Sequence, residues 1–357
     1  MNATLERPAA GLRARPVSLT EKQRVRKISK IIRYAEKRLK RRFPILEKRD
    51  AIGLGIFLLS ASAMVGVSAL YFFEAIPWWS ALLLNAFFAS LLHEIEHDLI
   101  HDLYFKGTWI ETMMMYGVWL FRGNTPSPFY RKKIHSLHHQ ESGQLTDIEE
   151  QMIGNGMRYN FKRLLVMFDQ NLAFLLNAPK LKKQIRGFDA GEMTRAAFPI
   201  HAMFTVLLQS LIAWNLFSVL NHWLDWGIVV SAEVAAAGAV LNFLGVVYIL
   251  PNVLRQFSLQ LVSSSMHYFG DIPRGAAGLL RQTQVLQPWF LAPFQLFCFN
   301  FGGTHGIHHL VVNQPFYMRQ IITPWAHPAM KRYGVRFNDL GTFKRANRYE
   351  FAPGDST

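Results

Sequence analysis

A single cysteine, Cys298, stands in a chain of 357 residues. That excludes an internal disulfide, a cysteine-ligated iron–sulfur cluster and a cysteine-built zinc ribbon. Acidic residues are scarce beside basic ones, 24 against 39, for a formal charge of +15. No Gly-rich dinucleotide fingerprint is present, since Gly53-x-Gly55 lies inside an apolar run with no strand before it. A haem-binding His-Pro-Gly-Gly, a flavin-type fold signal, an internal repeat and a low-complexity tract are also missing. A redox reaction on this chain would need a metal held by something other than thiolate, and electrons from outside.

Long apolar runs are plentiful. Ala51–Phe73, Trp78–Leu92, His201–Leu220 and Trp226–Leu250 each approach the roughly 20 residues that a helix needs to cross hydrocarbon, the second by running on into a histidine-rich stretch. A charged stretch of about 50 residues precedes the first run, which therefore reads as a span rather than a leader. The runs pair into two hairpins, with Glu74–Pro77 and Asn221–Asp225 as turns and Trp78, Trp79, Trp223 and Trp226 beside them as interfacial aromatics. The expected fold is all-α integral membrane, with four transmembrane helices in two hairpins and further cytoplasmic or interfacial helices.

The cations orient it. Residues 1–50 hold 16 Lys and Arg, residues 93–196 hold 13, residues 251–357 hold 10, and the two turns hold none. The positive-inside bias places both termini and the stretches between the hairpins in the cytoplasm. It also accounts for the net charge without nucleic acid; anionic lipid headgroups are the expected counterpart. Three regions follow: a basic helix in 1–50 lying on the membrane through Val25, Ile28, Ile31, Ile32 and Leu39; a membrane domain over 51–320; and a cytoplasmic segment, 321–357. Thr108–Phe121 is too short to span and reads as interfacial or re-entrant.

Ten of the 13 histidines fall into four clusters on the cytoplasmic side: His93-x3-His97-x3-His101; His135, His138 and His139 in "HSLHH"; His267 in "SSSMHYFGD"; and His305, His308 and His309 in "HGIHH". Residues three and four apart share a helix face, so each His-x-x-His-His box can offer two imidazoles to one metal and a third to its neighbour. Two boxes and a four-spaced trio on one side of a membrane are far beyond chance, and nine or ten histidines supply two metals with four or five ligands each. Zinc cannot activate oxygen, so two open-coordinated redox metals are expected. Glu94, Asp98, Asp147 and Asp271 are candidates to orient the ligands, with Glu96 and Asp102 also nearby, whereas Glu149 and Glu150 read as solvated surface charge. His201, His222 and His327 read as ordinary interfacial or surface histidines. Two other classes compete. His93-Glu94-x-x-His97 matches the zinc-protease His-Glu-x-x-His, but leaves both boxes and His267 without a role. A metal transporter would need ligands along a path through the bilayer.

Box order, spacing and topology over residues 50–320 resemble the membrane fatty-acid desaturase/hydroxylase superfamily. The resemblance maps onto His97 and His101, then His135, His138 and His139, then His267, then His305, His308 and His309, with His93 as the least certain tenth. Ser263 matches a position where a polar side chain holds a metal-bound water. It implies two irons, dioxygen as co-substrate, removal of hydrogen from an unactivated methylene, a fatty-acid substrate, and an external ferredoxin-type donor with its reductase. The strings "HEIEHDLIHDLYF", "LPNVLRQF", "VSSSMHYFGD", "QTQVLQPW" and "CFNFGGTHGIHH" look most like the UndB-type branch, bacterial inner-membrane enzymes that convert free medium-chain fatty acids to terminal alkenes and carbon dioxide. An acyl desaturase or hydroxylase is the alternative. A decarboxylase needs a cation near the metals, and Arg131, Arg255 and Arg274 are the leading candidates ahead of Lys132, Lys133 and Arg281.

Overall fold

The computed structural model describes residues 19–142, 144, 146–152, 157, 159–184, 188–267 and 278–345. In chain order the described helices are α1 (Glu21–Arg42), α2 (Arg49–Phe72), α3 (Trp78–Ile100), α4 (Trp109–Arg122), α5 (Pro128–Glu141), α6 (Ile148–Met152), α7 (Phe161–Phe168) and α8 (Gln170–Gln184). There follow α9 (Ala190–Ala197), α10 (Ile200–Trp223), α11 (Ala232–Leu244), α12 (Leu250–Met266), α13 (Ala292–Phe297), α14 (Phe301–Leu310), α15 (Phe316–Arg332) and α16 (Gly341–Arg345). The described strands, β1 (Gln284–Val285) and β2 (Arg336–Phe337), form one short parallel pair.

Three stretches are long and apolar enough to cross a membrane: Arg49–Phe72, Ile200–Trp223 and Ala232–Met266. The second expected span, 78–92, is the first part of α3, whose histidine and carboxylate end lowers its hydropathy. The fourth differs from expectation at both ends. Residues 226–231 are outside the helix, with the Asn221 side chain bonded to the Ile228 backbone at 2.9 and 3.1 Å. The helical path then runs 35 residues to Met266, about 52 Å at 1.5 Å per residue. That exceeds a hydrocarbon core of about 30 Å, so the same rod that enters the membrane also carries Ser263 to the histidine cluster.

A π-turn over Gly245–Ile249 joins α11 to α12. Its cause is local: Pro251 has no N–H to offer the Val247 carbonyl, and Asn85 from α3 donates to that carbonyl instead, at 2.9 Å. Close by, Tyr248 Oη and Asn252 Nδ2 donate to the Leu120 and Phe121 carbonyls at 2.7 and 2.9 Å, closing the end of α4. Gly123 ends that helix at φ +55°, and a Cβ there would strike Tyr248 and Phe204. Trp109, Met113, Tyr116 and Leu120 remain exposed along one stripe of α4.

The basic N-terminal helix is placed differently from expectation. Thr20 and Gln23 form a reciprocal capping box that starts α1. Ile28, Ile32, Ala35 and Leu39, the face expected to meet lipid, are buried on Met318, Ile322, Ala326 and Met330 of α15. Ile31 lies off that stripe and is exposed. The boundary drawn at 320/321 falls inside α15, which packs on α1, α14 and α3.

Candidate metal centre and adjoining cavity

Four helix ends converge. α3 supplies His93 and His97, with His101 as its C-cap; α5 supplies His135, His138 and His139; His267 caps α12; and α14 supplies His305, His308 and His309. Helix spacing sorts them into two quartets: His97, His101, His135 and His308, and then His138, His267, His305 and His309. Within each quartet one nitrogen from every ring lies within 4.8 Å of the others. His135 and His308 belong to one quartet while His138, His305 and His309 belong to the other. The i+3 member of each box thus crosses to the opposite quartet, as the helix geometry predicts. His139 Nε2 stands 3.2 Å from His101 Nε2 and 2.9 Å from His308 Nε2, so it adjoins the first quartet. His309 and His305 face each other through their Nε2 atoms at 3.1 Å. Two nitrogens each about 2.1 Å from one metal, at right angles, would sit about 3 Å apart. Both ring nitrogens of buried His97 and the Nε2 of buried His135 have no hydrogen-bond partner. The residues present therefore fit a pair of metal ions.

Outer contacts orient the rings. His138 Nδ1 meets Asp147 Oδ2 at 2.7 Å, and His135 Nδ1 meets Glu149 Oε2 at 2.6 Å. His309 Nδ1 meets Gln282 Oε1 at 2.9 Å. His267 Nδ1 lies 3.0 Å from Ser263 Oγ and 3.2 Å from Glu150 Oε1. Each contact directs the other nitrogen inward. Burial, reinforced by neighbouring rings, pushes the His97, His305, His308 and His309 pKa values well down, and that of His101 to about 2. Neutral imidazole is the form that binds metal. His138 behaves oppositely: burial lowers it, but Asp147, Glu150 and Glu149 outweigh burial and raise it to about 9.

Several expectations are corrected. Glu149 and Glu150 are not surface charges; they are built into the site through His135, His267 and Ser263. Glu94 and Asp98 do not orient a ring. Asp98 accepts from Arg319 Nη2 and the Phe316 N–H at 2.8 Å each and from Tyr104 Oη at 2.7 Å, while its nearest approach to His97 Nδ1 is 4.0 Å. Glu94 lies 3.4 Å from Arg319 Nη2. The zinc-protease reading fails on the same geometry, because Glu94 serves Arg319 and His93 belongs to neither quartet. His93 is buried 6.5 Å from His97, ring centre to ring centre. Asp102 pairs with Lys132, and Lys133 pairs with Glu192. Asp271 and Arg274 lie outside the described residues. His222 is exposed, and His327 Nε2 donates to the Gly303 carbonyl at 2.7 Å. His201, expected to be ordinary, is buried in the cavity wall. Sequence reasoning also missed Gln282 and Arg122; neither belongs to a periodic motif, so no spacing pointed to them.

A cavity of about 390 Å³ adjoins the quartets, within the size range of small-molecule sites. Its lining includes His97, His135, His138, His267 and His305 and the apolar Met152, Met193 and Phe198. Arg122 and Arg131 line the wall nearest α3. Both pair with Glu96, Arg131 at 2.9 Å, and Arg131 also reaches Glu149 at 3.1 Å.

The sequence model of one family, fatty acid desaturase, matches residues 74–341. A comparison with curated proteins finds no match.

Proposed function

The chain belongs to the fatty acid desaturase family, and on that premise we propose that it oxidises a free medium-chain fatty acid to a terminal alkene and carbon dioxide. Membership makes it an oxidoreductase acting on fatty acyl chains, and the histidine clusters fit a metal site. The observation that carries the finer reading is the cavity lining, which combines arginines and quartet histidines with apolar side chains. A free acid matches that lining when its head lies at the histidines. A mid-chain desaturase would instead need its apolar chain there and its head elsewhere.

The eight quartet histidines, with His139 beside them, would hold two irons, whose chemistry when bound is to use dioxygen to remove hydrogen from an unactivated carbon. The chain's own residues do the rest. The apolar wall seats the tail and excludes water, and the cationic wall sets which carbon faces the histidines. Loss of one hydrogen from Cβ and of the carboxylate as carbon dioxide releases two electrons. Two more must come from an external donor, so that one dioxygen ends as two waters. A ferredoxin-type protein suits that task. α1 exposes nine Lys and Arg and neither of its two Glu, and it packs on α14, where Ser29 Oγ donates to the Leu310 carbonyl at 3.1 Å. An acidic donor would thus dock close to His308 and His309, on the cytoplasmic side of the membrane.

The test is product analysis by gas chromatography after supplying laurate, dioxygen and a ferredoxin system to the purified protein. A 1-alkene one carbon shorter is expected. An unsaturated or hydroxylated acid of unchanged length would replace decarboxylation with acyl desaturation or hydroxylation.

A further inference from the structure

Beside the cavity, near α3, three buried arginines meet fewer carboxylates than their own number. Arg122, Arg131 and Arg255 are all buried, the last completely. The acids that meet them are two. Glu96 is shared by Arg122 and Arg131, and Glu149 is shared by Arg131 and His135. Arg255 meets neither. Its Nη2 donates to Gln256 Oε1 at 2.8 Å, and its Nε and Nη1 have no hydrogen-bond partner. An uncompensated buried charge costs several kcal/mol, and a protein keeps one where a ligand supplies the counter-charge. His93 sits in the same group. Both its ring nitrogens are without a partner at 2% exposure. Burial and the fields of Arg122, Arg131 and Arg255 hold its pKa well down, so it offers a neutral N–H rather than another charge. His93, Arg122 and Gln256 all line the cavity.

We propose that His93, Arg122 and Gln256, which line the cavity, and Arg255, whose Nη2 donates to Gln256, form the seat of a substrate carboxylate, and that His93 serves this seat rather than a metal. The inference rests on the free-acid reading above and names the residues that enforce it. A carboxylate brings a negative charge to Arg255, which no protein carboxylate meets, and its two oxygens can accept from several N–H donors at once. An alcohol, ester or thioester carbonyl would accept a bond but leave that arginine's charge unmatched. His93 stands one helical turn before His97 on the same face of α3. A head group held at His93 therefore leaves the first carbons of the chain, and no later ones, beside His97.

The experiment is binding without turnover. Full-length protein in detergent, without reductant or donor, is titrated with laurate, 1-dodecanol and lauroyl-coenzyme A, and its thermal unfolding is followed with and without each. The wild type should bind laurate on the order of a hundredfold more tightly than dodecanol. Arg255→Met should remove that preference and leave dodecanol binding within about threefold. Its melting temperature without ligand should hold or rise, because the substitution deletes an unpaired buried charge; a merely structural arginine would lower it. Arg255→Lys should recover part of the laurate affinity. His93→Phe, which keeps the packing against Phe301, should weaken laurate binding while the metal content stays at the wild-type value. If the wild type prefers laurate and both Arg255→Met and His93→Phe preserve that preference, the seat is elsewhere and this inference fails while the free-acid reading stands. If the wild type binds laurate no better than dodecanol, or prefers the thioester, the free-acid reading fails with it.

Discussion

Two stripes run side by side on the C-terminal end of α3, each with a spacing of four: His93, His97 and His101, and next to them Glu94 and Asp98. Apart from His101, which is half-buried, both stripes are buried, and all five residues are polar. They differ in saturation. Asp98 accepts from a guanidinium, a phenol and a backbone N–H, and the Arg319 that serves it also reaches Glu94. Apart from Glu94 Oε1, which has no hydrogen-bond partner, that stripe is paired through Arg319 and ties α3 to α15. In the histidine stripe, His93 and His97 have no partner for either ring nitrogen. A buried polar group costs free energy until something pairs with it. The closed stripe holds the fold together, and the open one is shaped for something that arrives from outside.

The largest break in this contrast comes from the open stripe. His97→Ala should abolish turnover and lower the metal content from about two ions per chain to about one, read by elemental analysis of purified protein. Full metal content and full activity in this variant would remove the first quartet as a metal site.

Next comes the closed stripe. Arg319→Met strands Asp98 and Glu94 without their cation, and breaking a buried pair in this way costs about 3–5 kcal/mol. Thermal unfolding in detergent should show a large loss of stability in the variant. The sign of its pH dependence follows from Asp98. Burial raises this carboxyl to about 6 even with Arg319 pulling it down. Without Arg319 its pKa in the folded protein rises further above that of the unfolded chain. The folded state then binds more protons, so stability should fall as pH rises through that window. A loss that is independent of pH would mean the Arg319 pairing is not its source.

The smallest effect tests the boundary between the stripes. Burial lifts Glu94 to about 8 against the pull of Arg319, so at neutral pH it is mostly protonated and a glutamine imitates it. Glu94→Gln should keep both metals, cost about 1 kcal/mol or less, and leave activity within a few-fold. Complete loss of activity with metals retained would return Glu94 to the role of a base and reopen the protease reading.

Much of this was legible from spacing alone. Histidines three and four apart have to share a helix face, so the splitting of each box between two metal positions followed from 3.6 residues per turn. The apolar runs and the distribution of cations likewise described a membrane chain with its chemistry at one end. Periodicity says which residues share a face but not what the face meets. The stripe of Ile28, Ile32 and Leu39 is equally suited to lipid and to protein, and only α15 decided it. Glu149 and Glu150 belong to no repeating pattern, and their selection as ring partners depends on the approach of α6 to α5 and α12. Arg122, Gln282 and His201 are single polar residues at helix ends or in connections. What brings Arg122 and His201 to the cavity, and Gln282 to His309, is contact between segments distant in the chain, which local sequence does not encode. Whether a buried charge is matched or left open is a sum over all its neighbours, and that sum exists only once the helices have packed.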